Sequence, residues 1–122
     1  MSNTYAVLTL CALALTAGSA PAKAEKLFGA IAFSASTGKV GGGWNYAAKK
    51  AATSEAVTQC GAGDCDTVVV FPNCGAIAVG DGYGMGFSAD KSVAKSEETA
   101  LSNCTGYTTN CLVVQSFCNE GS

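Results

Sequence analysis

The sequence contains no histidine and no arginine, and charged residues make up only 13% of its 122 positions. Without histidine, the chain lacks the commonest general base and metal ligand, and a Ser-His-Asp triad is impossible. Without arginine, and with seven lysines against nine acidic residues, the chain has little means of binding phosphate or nucleic acid. The composition therefore predicts no nucleic-acid partner, no metal and no cofactor.

Apolar runs long enough to cross a membrane are also missing from the sequence after its first 24 residues. Residues 6–17 form an apolar run of signal-peptide length, and Ala22-Lys23-Ala24 places small residues before a cleavage point. Because the run is short for a membrane span, a cleaved signal is favoured over an anchor. We predict a signal peptide over residues 1–24, a single domain over residues 25–122 with no membrane span, and a secreted or periplasmic location.

An internal repeat dominates the rest of the chain. Residues 74–79 (CGAIAV) repeat residues 28–33 (FGAIAF). Each copy is followed by a glycine-rich run with aromatics, a helix-like segment ending at a cysteine, a short loop to a second cysteine, and a β-branched strand. The units span about residues 27–72 and 73–118. They predict an α+β domain of duplicated ββαβ units with pseudo-two-fold symmetry.

Local signals predict how the elements begin and how the two units join. Asn45 or a neighbour is suited to cap the first helix, and Ser88 the second. The joint between the units lies at residues 71–74, and we expect the two units to share one sheet at that point.

Six cysteines follow the predicted signal peptide, and an even number in a small exported chain indicates disulfides. Cys60 and Cys104 occupy equivalent places in the two units, as do Cys65 and Cys111. The repeat therefore favours two local bridges, Cys60–Cys65 and Cys104–Cys111. The remaining pair, Cys74–Cys118, would join the first and last strands of the second unit.

Carboxylates are the remaining candidates for catalysis, since paired acids can hydrolyse glycosides. The candidates are Asp64, Asp66, Asp81, Asp90, Glu97 and Glu98. They lie beside a cysteine, in turns or in a helix, where carboxylates have ordinary structural roles. We therefore predict no catalytic residue, and a carboxylate-dependent hydrolase is the less favoured alternative.

Four aromatic residues on the glycine-rich return strands are the candidate binding residues: Trp44, Tyr46, Tyr83 and Phe87. Because alternate residues of a strand share a face, each unit would present a pair of them. One interpretation is a platform for a glycan or protein partner. The other is that they fill the core, as large aromatic residues mostly do in small domains.

The repeat and its cysteines together resemble a known family of secreted bacterial proteins, domain of unknown function 4189. The resemblance covers about residues 27–118 and rests on both Gly-Ala-Ile-Ala copies, on Trp44 after glycines, and on the two helix-end cysteine pairs. The chain departs from the family where tryptophans often occur in the second return strand, since it has Met85 and Phe87 there. The resemblance implies an exported, disulfide-bonded domain and supplies no catalytic residue.

These observations together predict an exported, disulfide-stabilised, non-enzymatic binding or envelope-interaction domain. An inhibitor or immunity-type protein that docks onto a secreted enzyme is the alternative, because a rigid stapled scaffold lowers the cost of binding.

Overall fold

The computed structural model describes residues 26–121, and the predicted signal peptide lies outside them. Six strands and two α-helices follow in the order predicted from the repeat. The first unit contains β1 (Phe28–Ser34), β2 (Val40–Tyr46), α1 (Lys49–Cys60) and β3 (Cys65–Phe71). The second contains β4 (Cys74–Val79), β5 (Met85–Asp90), α2 (Val93–Thr105) and β6 (Leu112–Cys118), with a short 3₁₀ turn at Asp81–Tyr83. The predicted α+β architecture of two ββαβ units is confirmed.

The strands form two separate antiparallel sheets, one per unit, with orders β2-β1-β3 and β5-β4-β6. The prediction that the units share a sheet is therefore wrong. Pro72 and Asn73 form a bend between β3 and β4, and proline has no N–H to continue a ladder. Stacking the sheets face to face instead buries an apolar face of each against the other.

Alternation within the repeated motif explains the layers. Ile31 and Ile77 face the space between the sheets and pack in one buried cluster with Phe33 and Phe71. The alanines of the first motif pack against α1, and those of the second motif pack against α2. Each central strand is thus buried on both faces, and the molecule is stacked as helix, sheet, sheet and helix.

Small side chains at every fourth position let each helix lie close to its sheet. The buried residues of α1 are Ala52, Ala56 and Cys60, and those of α2 are Ser96, Ala100 and Cys104. Such spacing places them on one side of a helix.

The predicted helix caps are wrong in detail. The N-cap of α1 is Ala48, which makes no side-chain cap bond, whereas Asn45 lies in β2 with a positive φ of 67°. Ser92 caps α2 by accepting a hydrogen bond from the Lys95 amide, while Ser88 lies within β5. Ser88 cannot cap a helix because the pairing of β5 with β4 continues as far as Asp90.

Three disulfides hold this frame: Cys60–Cys65, Cys104–Cys111 and Cys74–Cys118. These are the pairs that the repeat predicts. Two of them tie a helix end to the strand that follows it. The third joins β4 to β6, where Cys74 and Cys118 are register partners.

Asn119, directly after β6, links the two units. Its side chain donates hydrogen bonds to the carbonyls of Phe71 and Asn73 and accepts one from the Asn45 amide at 2.8 Å. The Asn45 side chain in turn accepts a hydrogen bond from the Glu120 amide at 2.7 Å. The side chain of Asn119 therefore replaces the backbone pairing that a shared sheet would have provided.

Candidate functional site

The two glycine-rich return strands, β2 and β5, are edge strands, and each borders a cleft. In the stack, β2 lies over β6 and β5 lies over β3, so the two clefts are at opposite edges of the molecule. We call them the β2 cleft and the β5 cleft. Their volumes are about 490 and 640 Å³, within the range of ligand-binding sites.

Glycine in both edge strands allows the helices to approach. A Cβ atom at Gly41 would collide with the backbone of Ala56 and Cys60 in α1. A Cβ atom at Gly86 would collide in the same way with the backbone of Ala100 and Cys104 in α2. The two glycines are equivalent by register, since they pair with the corresponding alanines of β1 and β4. Glycine at these positions is thus a requirement of helix packing.

The β2 cleft has a largely polar lining. Its wall is formed by the backbone of residues 40–43, by Trp44 and Tyr46, and by Glu55 and Gln59 from α1. The Gln59 amide donates a hydrogen bond of 2.6 Å to the Glu55 carboxylate. Gln115 reaches the cleft from β6 of the other sheet. Both units therefore contribute to this site.

Gln115 carries an unusual acceptor. Its Oε1 atom is buried against Gly42 and has no hydrogen-bond partner among residues 26–121. A buried acceptor without a donor costs about 1–3 kcal/mol. The oxygen itself is covered by Gly42, so the cleft is bordered by other parts of the Gln115 side chain.

Trp44 is the exposed aromatic residue of the β2 cleft. One side of its ring contacts Phe117, with 4.9 Å between ring centroids, and Phe117 contacts the buried Phe71 ring at 5.3 Å. The side chain of Trp44 nevertheless remains 48% exposed. The ring is thus positioned by the core while much of its surface faces solvent.

The β5 cleft is apolar and aromatic. It is lined by Phe33, Met85, Phe87, Tyr83 and Tyr107, with glycines of β5 and Asn103. Tyr83 is 47% exposed, Phe87 is 37% exposed and Tyr107 is 82% exposed. Asn103 is held by a hydrogen bond from its amide to the Phe87 carbonyl. Exposed aromatic surface therefore predominates in this cleft, and its polar groups are Asn103 and the two tyrosine hydroxyls.

A single pair of substitutions across the pseudo-two-fold explains much of the difference between the clefts. Gly42 and Phe87 are equivalent, since they pair with Ile31 and Ile77 in their sheets. On their other sides, Ile31 pairs with Val69 of β3 and Ile77 pairs with Gln115 of β6, so Val69 and Gln115 are also equivalent. One edge therefore combines glycine with a long polar side chain, and the other combines phenylalanine with valine.

The four predicted binding residues fall into two separate groups. Trp44 and Tyr46 line the β2 cleft, where Tyr46 is half-buried and packs toward α1. Tyr83 and Phe87 line the β5 cleft. The placement of Tyr83 on the return strand is wrong, because Tyr83 lies in the 3₁₀ turn at Asp81–Tyr83 and β5 begins at Met85.

Sequence reasoning missed several lining residues: Glu55, Gln59, Gln115, Asn103 and Tyr107. One signal was available for Gln115, since it interrupts the last β-branched strand where the first unit has only valines. The helical residues carried no comparable signal, because exposed polar residues on a helix are the ordinary case.

Most candidate carboxylates have local partners. Asp90 accepts a hydrogen bond from the Ser92 amide, Glu97 accepts one from the Ser116 hydroxyl, and Glu98 pairs with Lys95 at 3.1 Å. Asp66 is an exposed residue of β3. These four lie on helix and strand surfaces and line neither cleft.

In each unit an aspartate connects the hairpin turn to the loop between the helix and the last strand. Asp64 belongs to that loop, whereas Asp81 belongs to the hairpin turn. Asp64, in the loop after α1, accepts hydrogen bonds from the Ser34 hydroxyl and the Ser36 amide at the β1–β2 turn. Asp81, in the β4–β5 turn, accepts hydrogen bonds from Thr109 and Asn110 in the loop after α2. The hydrogen bond from Ser34, reinforced by Ser36, lowers the pKa of Asp64 below its ordinary value of 3.8.

Two further properties concern the described part of the chain. Across residues 26–121, no group of three or more histidine, cysteine, aspartate or glutamate residues is arranged to hold a metal ion. Neither helix in this range is long and apolar enough to span a membrane.

Comparison with known proteins defines the class. A family model described as "Domain of unknown function (DUF4189)" matches residues 28–118. The chain belongs to this family, and the resemblance predicted from its motifs is confirmed.

Particular relatives come from mycobacteria. Protein Rv1269c of Mycobacterium tuberculosis and Protein Mb1300c of Mycobacterium bovis are each 42% identical over 60 residues. The match covers 49% of this chain and 48% of each relative, so it spans about half the length of these proteins.

The NMR structure of Rv1813c from Mycobacterium tuberculosis has a similar fold. It superposes with a TM-score of 0.64 at 24% identity, covering 93% of this chain and 97% of that one. At this identity the likeness shows the fold alone.

Proposed function

We propose that this protein is an exported, disulfide-stabilised binding domain, not an enzyme, and that the β2 cleft is its binding site. The observation that carries the proposal is Trp44, an aromatic residue fixed from behind by Phe117 yet about half exposed at the mouth of a polar cleft. Binding sites combine aromatic surface with a few placed polar groups. Glu55, Gln59 and Gln115 provide such groups.

The disulfide frame supports a binding role. Two bridges anchor the ends of α1 and α2 to the next strands, and the third closes the second sheet. A site on rigid elements loses little entropy when a ligand binds. Three disulfides are also typical of an oxidising compartment outside the cytosol, which supports export.

Cell-envelope binding tests the proposal directly. Purified protein corresponding to residues 25–122 is mixed with isolated envelope fragments from the producing organism and sedimented. We expect co-sedimentation that Trp44→Ala reduces and Tyr83→Ala retains, because Tyr83 has nearly the same exposure but lies in the other cleft. Equal sedimentation of the wild type and Trp44→Ala would show that the β2 cleft is not the binding site.

Export has a separate test. Mass spectrometry of the protein recovered from the periplasm and from the culture medium should show a chain that begins at Glu25. A recovered chain that still carries residues 1–24 would contradict the predicted cleavage.

An inhibitor that docks onto a secreted enzyme is the second candidate. The observation that favours it is the exposed aromatic surface of the β5 cleft, at Tyr83, Phe87 and Tyr107, since tyrosine is enriched at interface hot spots. A stoichiometric complex with one secreted enzyme, dissociated by Tyr107→Ala but not by Trp44→Ala, would support it. Absence of any such complex in gel filtration of the secreted fraction would count against it.

A further inference from the structure

We infer that the β2 cleft binds a neutral sugar ring of a glycan, an inference that rests on the proposed binding function of the same cleft. The β2 cleft combines one half-exposed aromatic ring with three polar side chains, Glu55, Gln59 and Gln115, of which the first two share a hydrogen bond. The aromatic ring and the polar side chains each match one chemical property of a sugar ring.

Trp44 matches the apolar C–H face of a sugar ring. One side of the indole rests on Phe117, and Phe117 rests on the buried Phe71 ring. The indole is therefore fixed before a ligand arrives, and aromatic side chains supply large contact area at low entropic cost. The exposed part of the ring is the flat surface on which a sugar would stack.

The polar side chains match hydroxyl groups, which both donate and accept hydrogen bonds. The Glu55 carboxylate accepts from Gln59 and retains further acceptor capacity. On the opposite wall, Gln115 Oε1 has no donor within the described range. Because that oxygen is buried against Gly42, the Gln115 amide nitrogen is the group on this wall that is available to a sugar hydroxyl, as a hydrogen-bond donor.

The charge of the lining selects against anionic ligands. Glu55 is the single charged residue among those that border the β2 cleft, and no lysine borders it. An acidic sugar or a phosphate group would meet a carboxylate without a compensating cation. The ligand is therefore a neutral glycan and not a polyuronate or a phosphorylated polymer.

Comparison with the β5 cleft shows why only one of the two equivalent edges suits a sugar. The second unit has Phe87 at the position equivalent to Gly42. The first unit has Val69 at the position equivalent to Gln115. Glycine makes room for the Gln115 side chain, which would collide with a Cβ atom at position 42, and glutamine adds a hydrogen-bonding group. The pair at the other edge has no polar side chain.

Titration with defined oligosaccharides tests the inference. The probes are neutral cellotetraose, mannotetraose and chitotetraose, with anionic tetragalacturonate and an unstructured polar peptide as comparisons. Because Trp44 is the single tryptophan of the chain, its fluorescence reports the cleft directly. We expect at least one neutral tetrasaccharide to change that fluorescence and to shift amide resonances of residues 40–46 and 55–59, while tetragalacturonate binds about tenfold more weakly or not at all.

Variants locate the site. Trp44→Ala and Gln115→Val should each weaken neutral-glycan binding about tenfold or more, measured by NMR, since they remove the stacking surface and a hydrogen-bonding amide. Gln115→Val introduces the residue type found at the equivalent position, Val69, so this variant should fold. It therefore tests the site even if Trp44→Ala disturbs the packing. Tyr83→Ala, matched in exposure, should bind as the wild type does.

Several outcomes would overturn the inference. One is that no neutral probe shifts the β2 resonances; another is that Tyr83→Ala abolishes binding while Gln115→Val does not. Binding of the peptide alone or of tetragalacturonate alone in the β2 cleft would reject a neutral sugar as the ligand but leave the proposed binding function intact. Failure of both envelope binding and every probe would reject the two together.

Discussion

The two halves of this protein share one backbone plan and present different surfaces. The alanines, the helix-facing glycines and the helix-end disulfides are repeated, so the packing of each helix on its sheet is the same. The differences that distinguish the two clefts lie at the sheet edges, where Gly42 and Gln115 correspond to Phe87 and Val69. A duplicated core can therefore be kept while one edge is specialised for a polar ligand.

The largest expected difference between the halves comes from the disulfides. The Cys74–Cys118 bridge closes a loop of 44 residues, whereas Cys60–Cys65 closes one of 5. By loop-closure entropy, removing the first by Cys74→Ala/Cys118→Ala should cost about 4 kcal/mol, and removing the second about 2 kcal/mol. Urea unfolding monitored by circular dichroism measures both. Equal losses would contradict the loop-length argument.

Glycine substitutions test whether the halves are equivalent. Gly41→Ala and Gly86→Ala should each destabilise the fold by about 3 kcal/mol, because the new methyl group collides with helix backbone that cannot move aside. Gly63→Ala is the control, since a Cβ at that position meets nothing within 4 Å. If one of the two core substitutions proves harmless, the two helices are not packed alike.

The link between the halves should be sensitive to Asn119. Asn119→Ala leaves the Asn45 amide and the Phe71 carbonyl without their partner, which should cost about 2 kcal/mol. The measurement is thermal unfolding, with amide exchange at Asn45 as the local readout. Unchanged exchange at Asn45 in the variant would show that this hydrogen bond does not hold the two units together.

The smallest expected effect is the pH dependence of stability that Asp64 contributes in the first unit. Because the folded state lowers the pKa of Asp64, this carboxylate contributes stability that is complete above its ordinary pKa of 3.8 and is lost as the pH falls through the lowered value. Asp64→Asn should therefore destabilise slightly at neutral pH and flatten the decline below pH 3.8. Asp66→Asn, in the adjacent strand, serves as the control. An unchanged acid profile in Asp64→Asn would contradict the assignment.

Local patterns predicted most of the fold. The repeated motif and the cysteine spacing indicated the element order, since each depends on contacts within one unit. The helix starts were wrong because Asn45 and Ser88 stay in strands whose pairing continues, and strand pairing outweighs a capping preference. The shared sheet was wrong because the unit boundary contains Pro72.

The candidate site was only partly predictable. Strand alternation gave Trp44 and Tyr46 as candidate binding residues, with filling of the core as the other interpretation. Glu55 and Gln59 lie on a helix, and Gln115 lies about 70 residues further along the chain than Gly42. Their convergence depends on how the two sheets stack. No local sequence pattern records that arrangement.

The sequence by itself determined the duplication, the family and the layers within each unit, because these follow from periodicity and from the spacing of like residues. Only the tertiary structure decided which edge strands overlie which, and hence that Gln115 of one unit faces Gly42 of the other. The physical reason is that face-to-face packing of two sheets is specified by side-chain fit across an interface, between residues that are distant along the chain.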